Sequence, residues 1–396
     1  MKRICIITGT RAEYGLLKPV IERINKDKEL ELYLIATGAH LSPEFGLTYK
    51  EIEDDGYIIN KKIEMLLSAD TPNSIVKSMG VEMIGLADAL EDACPDMVVI
   101  LGDRYEMLAA ASAAMIHRIP IAHIHGGEAT EGAIDDAIRH AITKMSYLHF
   151  ASTEVYRNRI IQLGEEPERA FNVGALGVEN IKTVKFLDKE TLEKSIDFKF
   201  GENTIMVTYH PVTLEKESSA EQFGNLLHVL AKKTGWNIIF TKANSDTDGR
   251  IINQMIDRFV AEHKDRCIAY TSLGRVRYLS ALKYCSVVIG NSSSGIIEVP
   301  SFHIPTVNIG DRQKGRVASG SVIYCGTSVE GIDDALDKAM QDDFRQRIKS
   351  ERNPYESKNT SSEIVRVIKY FLQNGIDMKK KFYDLSIGKQ IWMHCL

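Results

Sequence analysis

The sequence predicts an α/β protein made of two doubly wound, parallel-sheet halves that follow one another along the chain. Three observations predict it. Short apolar, β-branched runs alternate with helical patterns, the signature of strand, crossover helix and parallel strand. Nearly every run ends in glycine, imidazole or charge, as at Gly9, Gly38, Gly102, His125, His210, Gly290 and Gly310. With 396 residues and 44% hydrophobic content, the chain can also bury more than one core.

The first half opens on a buried strand, Ile4 to Thr8, and a turn, Gly9-Thr10-Arg11-Ala12-Glu13-Tyr14-Gly15, leading into a helix near Leu16 to Asn25. A glycine turn feeding a helix N-terminus offers N–H groups to an anion, and Arg11 adds charge suited to phosphate. Leu30 to Thr37 is a second strand, and Ser74 to Leu90 an amphipathic helix. The densest stretch runs from Val98 to Ser146. There a strand, Val98 to Leu101, an Ala-rich helix, Arg104 to His117, and a strand, Ile119 to Ile124, form one right-handed crossover, so both strands end on the same sheet edge. Open α/β sheets bind ligands at that edge. It gathers Asp103, His123, His125 and Glu128, and the helix Ile134 to Ser146 brings Asp135, Asp136, Arg139 and His140. So many acids and bases together point to proton transfer.

Each has a plainer reading taken singly. Asp103 suits a helix cap, Asp135 and Asp136 suit the positive end of their helix, and a lone strand histidine is commonly hydrogen-bonded structure. His123 and His125 alternate and are expected on one strand face. Gly126-Gly127 removes side chains beside the cluster, as close approach of a ligand to the backbone would require.

The second half repeats the pattern after a charged stretch, Lys182 to Phe200, read as linker and first helix. Strands fall at Thr204 to Thr208, before Tyr209-His210-Pro211, at Trp236 to Thr241, before Lys242-Ala243-Asn244, and at Cys267 to Tyr270. Val287-Val288-Ile289 then runs into Gly290-Asn291-Ser292-Ser293-Ser294-Gly295 at a helix start. N–H groups and hydroxyls converge there where a diphosphate could lie, with Glu298 a turn further on to accept from a ribose diol. A basic loop, Gly310 to Arg316, follows the strand Thr306 to Ile309. Ser361 to Gln373 is a last amphipathic helix, and Met378 to Leu396 reads as a poorly ordered tail.

A net charge of −5 argues against a nucleic-acid partner. Six dispersed cysteines without a CxxC pair suggest neither zinc ribbon nor disulfide framework and fit reduced thiols in the cytoplasm. No run reaches the length of a membrane span, so no membrane partner is expected.

In combination, Gly9-Thr10-Arg11-Ala12-Glu13-Tyr14-Gly15, Gly102-Asp103-Arg104, His123-Ile124-His125-Gly126-Gly127-Glu128, Ile134 to His140, Gly290 to Gly295 with Glu298, and Gly310-Asp311-Arg312-Gln313 resemble the hydrolysing UDP-N-acetylglucosamine 2-epimerases. The resemblance spans Ile4 to about Phe371. It implies two Rossmann-like domains facing across a cleft, the arrangement called GT-B, divided as 1–178, 179–358 and a returning helix plus tail, 359–396. It implies no metal, no nicotinamide or other cofactor, and a homodimer or homotetramer. Carried over by motif, Arg11, Arg104, Ser292, Ser293 and Arg312 would hold the diphosphate with His210. Glu298 would bind the ribose, and Asn244 the nucleotide. Arg139 and Ser294 join the residues expected to bind UDP and sugar. Asp103, Glu128 and Asp135 would surround the sugar, with His123 and His125 positioning and protonating. Several relatives carry glutamate where His125 stands, so the division of duties among His125, Glu128 and Asp135 stays open.

The implied reaction converts UDP-N-acetylglucosamine and water to N-acetylmannosamine and UDP through a glycal, for sialic acid biosynthesis. The alternative is the same reaction on UDP-2,4-diacetamido-2,4,6-trideoxy-glucose, for legionaminic acid. Remoter readings are a metal-dependent hydrolase using Asp103, His123, His125 and Glu128, a glycosyltransferase, and a nucleotide-sugar binder without turnover.

Overall fold

A computed structural model describes residues 1–69, 71–130, 134–212, 219–243 and 249–385. The expected nucleotide contact Asn244 lies outside the described residues. Strands β1 (Lys2–Thr8), β2 (Leu30–Thr37), β3 (Lys61–Ile63), β4 (Met97–Leu101), β5 (Ile121–Ile124), β6 (Leu148–Ala151) and β7 (Ala170–Asn172) form the first sheet, in the order β3-β2-β1-β4-β5-β6-β7. The second contains β8 (Thr204–Thr208), β9 (Asn237–Thr241), β10 (Cys267–Tyr270), β11 (Val287–Gly290), β12 (Thr306–Ile309) and β13 (Val322–Cys325), in the order β10-β9-β8-β11-β12-β13. All pairings are parallel.

Central strands buried on both faces need continuous apolar runs, which Ile4 to Ile7, Met97 to Leu101 and Val287 to Ile289 supply. Each sheet therefore has a core on either side. In both sheets the order reverses beside the first strand, between β1 and β4 and between β8 and β11. At such switch points the loops on the strands' carboxyl ends part and leave a crevice. The turns after β1, β4, β8 and β11 carry Arg11, Asp103, His210 and Ser292.

Two features differ from the sequence reading. The segment Ser328 to Ser350 is two helices, Val329–Met340 and Asp342–Ile348, because Gln341 is extended between them. The early part of the expected tail is docked. Lys380 donates to the carbonyl of Lys144 at 2.9 Å and pairs with Glu165 at 2.6 Å, while Tyr383 N–H donates to the Gly164 carbonyl at 2.9 Å. The anchor is a buried carboxylate that Lys144 and His149 also hold, an assembly invisible in local sequence.

Helix Thr360–Asn374 returns to the first lobe, where Ile364, Val367 and Ile368 join its core and Arg23 Nε donates to Ser361 Oγ at 2.7 Å. Burial alone would raise the Glu165 carboxyl, but His149, Lys144 and Lys380 outweigh it and hold the pKa at about 2. A lowered acid stabilises the fold above its unfolded pKa of about 4.3 and loses that contribution as pH falls toward 2. Lys380→Ala is accordingly expected to raise the midpoint of acid unfolding, read by circular dichroism; an unchanged midpoint would show that the strap carries no weight.

Candidate active site

The carboxyl edges of the two sheets meet. Arg316, from the loop after β12, crosses to the first lobe, where its guanidinium pairs with Glu128 and donates to Thr130 Oγ1 at 3.3 Å. Val317 N–H donates to Tyr156 Oη and Tyr355 Oη to the Val317 carbonyl, both at 2.8 Å, so this loop is seated on the first lobe. Arg316 is the candidate site residue that the sequence reading leaves unassigned. It sits in the basic loop noted there, but only the fold shows which of that loop's cations crosses the cleft.

On the first lobe, Arg139 is 1% exposed and organises the acids. Its guanidinium pairs with Asp103, donates to Thr130 Oγ1 at 2.7 Å and to the Glu128 carbonyl at 3.0 Å. Expected to bind substrate, it has its terminal nitrogens on the protein, the geometry of a positioning group. Asp136 accepts from Thr130 N–H at 2.6 Å, fixing the helix Asp135–Met145 against the loop after Glu128. Asp135, half-buried, opens that helix.

Glu128 is not raised by its burial: desolvation pushes the carboxyl up, but Arg316, His125 and the hydrogen bond from Ser152 Oγ at 2.6 Å outweigh it and hold the carboxyl below its usual range. His123 is also settled. Nε2 lies 2.8 Å from the Gly102 carbonyl, which requires it to be protonated, and Nδ1 lies 3.2 Å from Thr143 Oγ1. Burial pushes its pKa down to about 3, so it is a neutral clamp on the turn bearing Asp103 rather than a proton donor.

His125 does not share the strand face of His123. β5 ends at Ile124, and His125 turns to φ 66°, a left-handed conformation that costs a non-glycine residue on the order of 1–3 kcal/mol. Its Nε2 is buried with no hydrogen-bond partner among the described residues. Burial lowers its pKa, against the pull of Glu128. Gly126 and Gly127 are required by the protein itself rather than by a ligand. A Cβ on Gly126 would lie 2.9 Å from His123 Nδ1, and one on Gly127 would strike the Tyr156 carbonyl.

On the second lobe, the Asn291 side chain receives His210 N–H at 2.7 Å and donates to the His210 carbonyl at 2.8 Å. Arg312 and Gln313 donate to the Asn291 carbonyl at 3.1 and 2.9 Å. Asn291 thus ties the turns after β8, β11 and β12 into one unit. Ser292 and Ser293 precede the short helix Ser294–Ile297, half-buried at the cleft. Ser294, expected to contact substrate, donates to Glu298, and Tyr278 Oη lies 2.6 Å from its Oγ. Burial raises the Glu298 carboxyl. Its Oε1 approaches Gly177 of the first lobe so closely that a Cβ there would lie at 2.5 Å.

At the start of the first lobe, Arg11 pairs with Glu51 and reaches Gly274 of the second lobe, and Arg104 Nε pairs with Glu106 at 2.6 Å. Beneath them, Glu13 closes a capping box, accepting from Gly9 and Thr10 N–H at 2.8 and 3.1 Å. Burial and neighbouring Glu106 push Glu13 up to about 8. An acid raised in the folded state stabilises fully below its unfolded pKa and loses that contribution as pH rises through 8. Thermal melts are therefore expected to fall between about pH 5 and 8 and to level off above that, and Glu13→Gln, which keeps the cap, to flatten the decline; an equally steep fall would reject the assignment.

The arrangement opposes anionic, arginine-bound carboxylates on one lobe to hydroxyls and basic groups on the other. The metal-hydrolase reading loses two of its four donors, because His123 uses both ring nitrogens and Glu128 both oxygens on protein partners. Among the described residues, no group of three or more His, Cys, Asp or Glu is placed to hold a metal ion. No described helix is long and apolar enough to cross a membrane.

The chain is 47% identical over 345 residues, 87% of its length and 89% of the relative's, to a Campylobacter jejuni protein named GDP/UDP-N,N'-diacetylbacillosamine 2-epimerase (hydrolyzing). It is 39% identical over 389 residues, 97% of its length and 98% of the relative's, to the Escherichia coli polysialic acid biosynthesis protein P7. Its fold matches the crystal structure of UDP-GlcNAc 2-epimerase from Neisseria meningitidis bound to UDP-GlcNAc, with a TM-score of 0.77, 19% identity, and coverage of 94% of this chain and 100% of that one. The two-lobed architecture is therefore of the GT-B type. The family model described as UDP-N-acetylglucosamine 2-epimerase matches residues 22–369, and the chain belongs to that family.

Proposed function

We propose that the protein is a hydrolysing UDP-sugar 2-epimerase that releases UDP and a free 2-acetamido sugar inverted at C2. The observation that supports this is the Arg316–Glu128 pair, which joins the loop after β12, with Arg312 on the Asn291 carbonyl, to the lobe where Arg139 holds Asp103. UDP would lie on the second lobe, its diphosphate on Ser292, Ser293, Arg312, His210, Arg11 and Arg104 and its ribose on Glu298. Electrostatic help at the diphosphate is what lets UDP depart, and preorganised donors are worth about 3–4 kcal/mol each in comparable sites.

As the bond from the anomeric carbon breaks, positive charge grows there and the C2 proton becomes acidic. Asp103 and Glu128, fixed beside arginines, stabilise that charge as permanent anions. Asp135 takes the C2 proton to give a glycal as UDP leaves, and later releases it to solvent; when water adds, its oxygen bonds to the anomeric carbon while its proton passes through neutral His125 to C2 on the opposite face. UDP-N-acetylglucosamine would give N-acetylmannosamine. The relative named for the diacetamido sugar, at 47% identity, favours UDP-2,4-diacetamido-2,4,6-trideoxy-glucose as the alternative. Incubation with each UDP-sugar in deuterium oxide tests the reading: one deuterium at C2 of the released, inverted sugar is expected. UDP release with retained C2 hydrogen would reject it, as would transfer to an acceptor.

A further inference from the structure

Three buried carboxyls stand behind the turn after β1, and the proposed chemistry uses none of them. Glu82, from helix Pro72–Ala93, is fully enclosed, while Glu106, from Tyr105–Ile116, and Glu13, from Arg11–Lys26, are 1% and 6% exposed. Gly9 lies between two of them: its N–H donates to Glu13 Oε2 at 2.8 Å, and a Cβ on it would lie 2.8 Å from Glu106 Oε1. Both Glu82 oxygens, Glu13 Oε1 and Glu106 Oε2 are buried without a hydrogen-bond partner among the described residues. The cation this cluster meets is Arg104, whose Nε holds Glu106 at 2.6 Å and whose charge reaches Glu13. The other ionisable neighbours are already settled. His40, whose N–H donates to the Gly9 carbonyl at 3.2 Å, is kept neutral by burial, which lowers its pKa to about 4, and Arg11 pairs with Glu51. Buried acids that crowd one guanidinium cannot all ionise, so protons stay on those it does not touch.

We infer that Glu106 is a positioning residue that aims Arg104 at the departing diphosphate, and that Glu13 and Glu82 hold protons behind it, so that diphosphate binding is tied to proton uptake by this cluster. The inference rests on the 2-epimerase reading, which places the diphosphate on Arg104. Gripping Arg104 through Nε fixes the plane of its guanidinium, and phosphate recognition depends on that plane. Burial and Glu106 raise Glu13 to about 8 and Glu82 well above the usual range. A bound diphosphate adds negative charge at Arg104 and offsets the field that favours Glu13 as an anion, so the Glu13 pKa rises further in the complex. UDP affinity is therefore full below about pH 8, falls as pH climbs from there through the pKa of the complex, and levels off above it.

Calorimetric titration with UDP from about pH 7 to 10 tests this, because a terminal phosphate ionises near about pH 6 and stays charged throughout. The wild type is expected to lose affinity about tenfold between about pH 8 and 9, with proton uptake on binding read from heats that vary with the ionisation enthalpy of the buffer. Glu13→Gln cannot ionise and should flatten the fall and abolish the uptake. Glu106→Gln removes a charge that raises Glu13, so the fall should begin at lower pH. The same variant should lose about tenfold in kcat for UDP release, because Arg104 is no longer aimed. A wild-type affinity independent of pH and without proton uptake, a Glu13→Gln profile as steep as the wild type, or Glu106→Gln with wild-type kcat and profile would overturn the inference and leave the epimerase reading intact. Failure of the wild type to bind UDP at any pH would overturn both.

Discussion

Replacing Arg316 with methionine is expected to lower kcat for UDP release by about 100-fold or more and to destabilise the protein by about 3–5 kcal/mol. The reason is the buried partner left behind. Glu128 is 3% exposed, and without the guanidinium its carboxyl keeps only Ser152 and His125 against the cost of burial. Its pKa should then rise, and since the proposed role requires the anion, the acidic limb of the rate profile should move to higher pH. Glu128→Gln in the same chain removes the stranded charge, so stability should largely return while activity does not. A single variant with wild-type melting temperature and rate would show that the two lobes are joined by something else.

The second large effect is expected from Asp135→Asn. An asparagine keeps the shape and the polar contact at the first turn of its helix but cannot accept the C2 proton, so loss of about 10²- to 10⁴-fold in kcat is expected with UDP affinity preserved. Incorporation of solvent deuterium at C2 should fall in parallel. A variant that still exchanges the C2 hydrogen at the normal rate would move the base to another group. His125 would be the first to examine, because its buried Nε2 has no partner among the described residues.

Much of the site was legible from residue type and strand position, and the limits are instructive. Asp103 and Ser292 follow strand carboxyl ends, where parallel topology places ligand-facing loops whatever the packing details. Alternation was a poorer guide at His125, because period two holds only while the backbone stays extended and the strand stops at Ile124. Gly126 and Gly127 look the same in sequence whether a ligand or a neighbouring helix excludes the side chain. Arg139 and Arg316 share one difficulty: a guanidinium's role depends on what lies at the end of a long side chain, and their partners stand 36 and 188 residues away.

The sequence alone determined the α/β class, the two consecutive sheets and the motifs at their edges, because strand and helix periodicity and glycine turns act over a few residues. Tertiary structure decided which charges neutralise one another. It set Glu128 as an anion by bringing Arg316 across the cleft, made His123 a neutral clamp by enclosing it, and docked the segment before residue 385 on Glu165. Ion pairing and burial are properties of neighbours in space, and no local pattern records them.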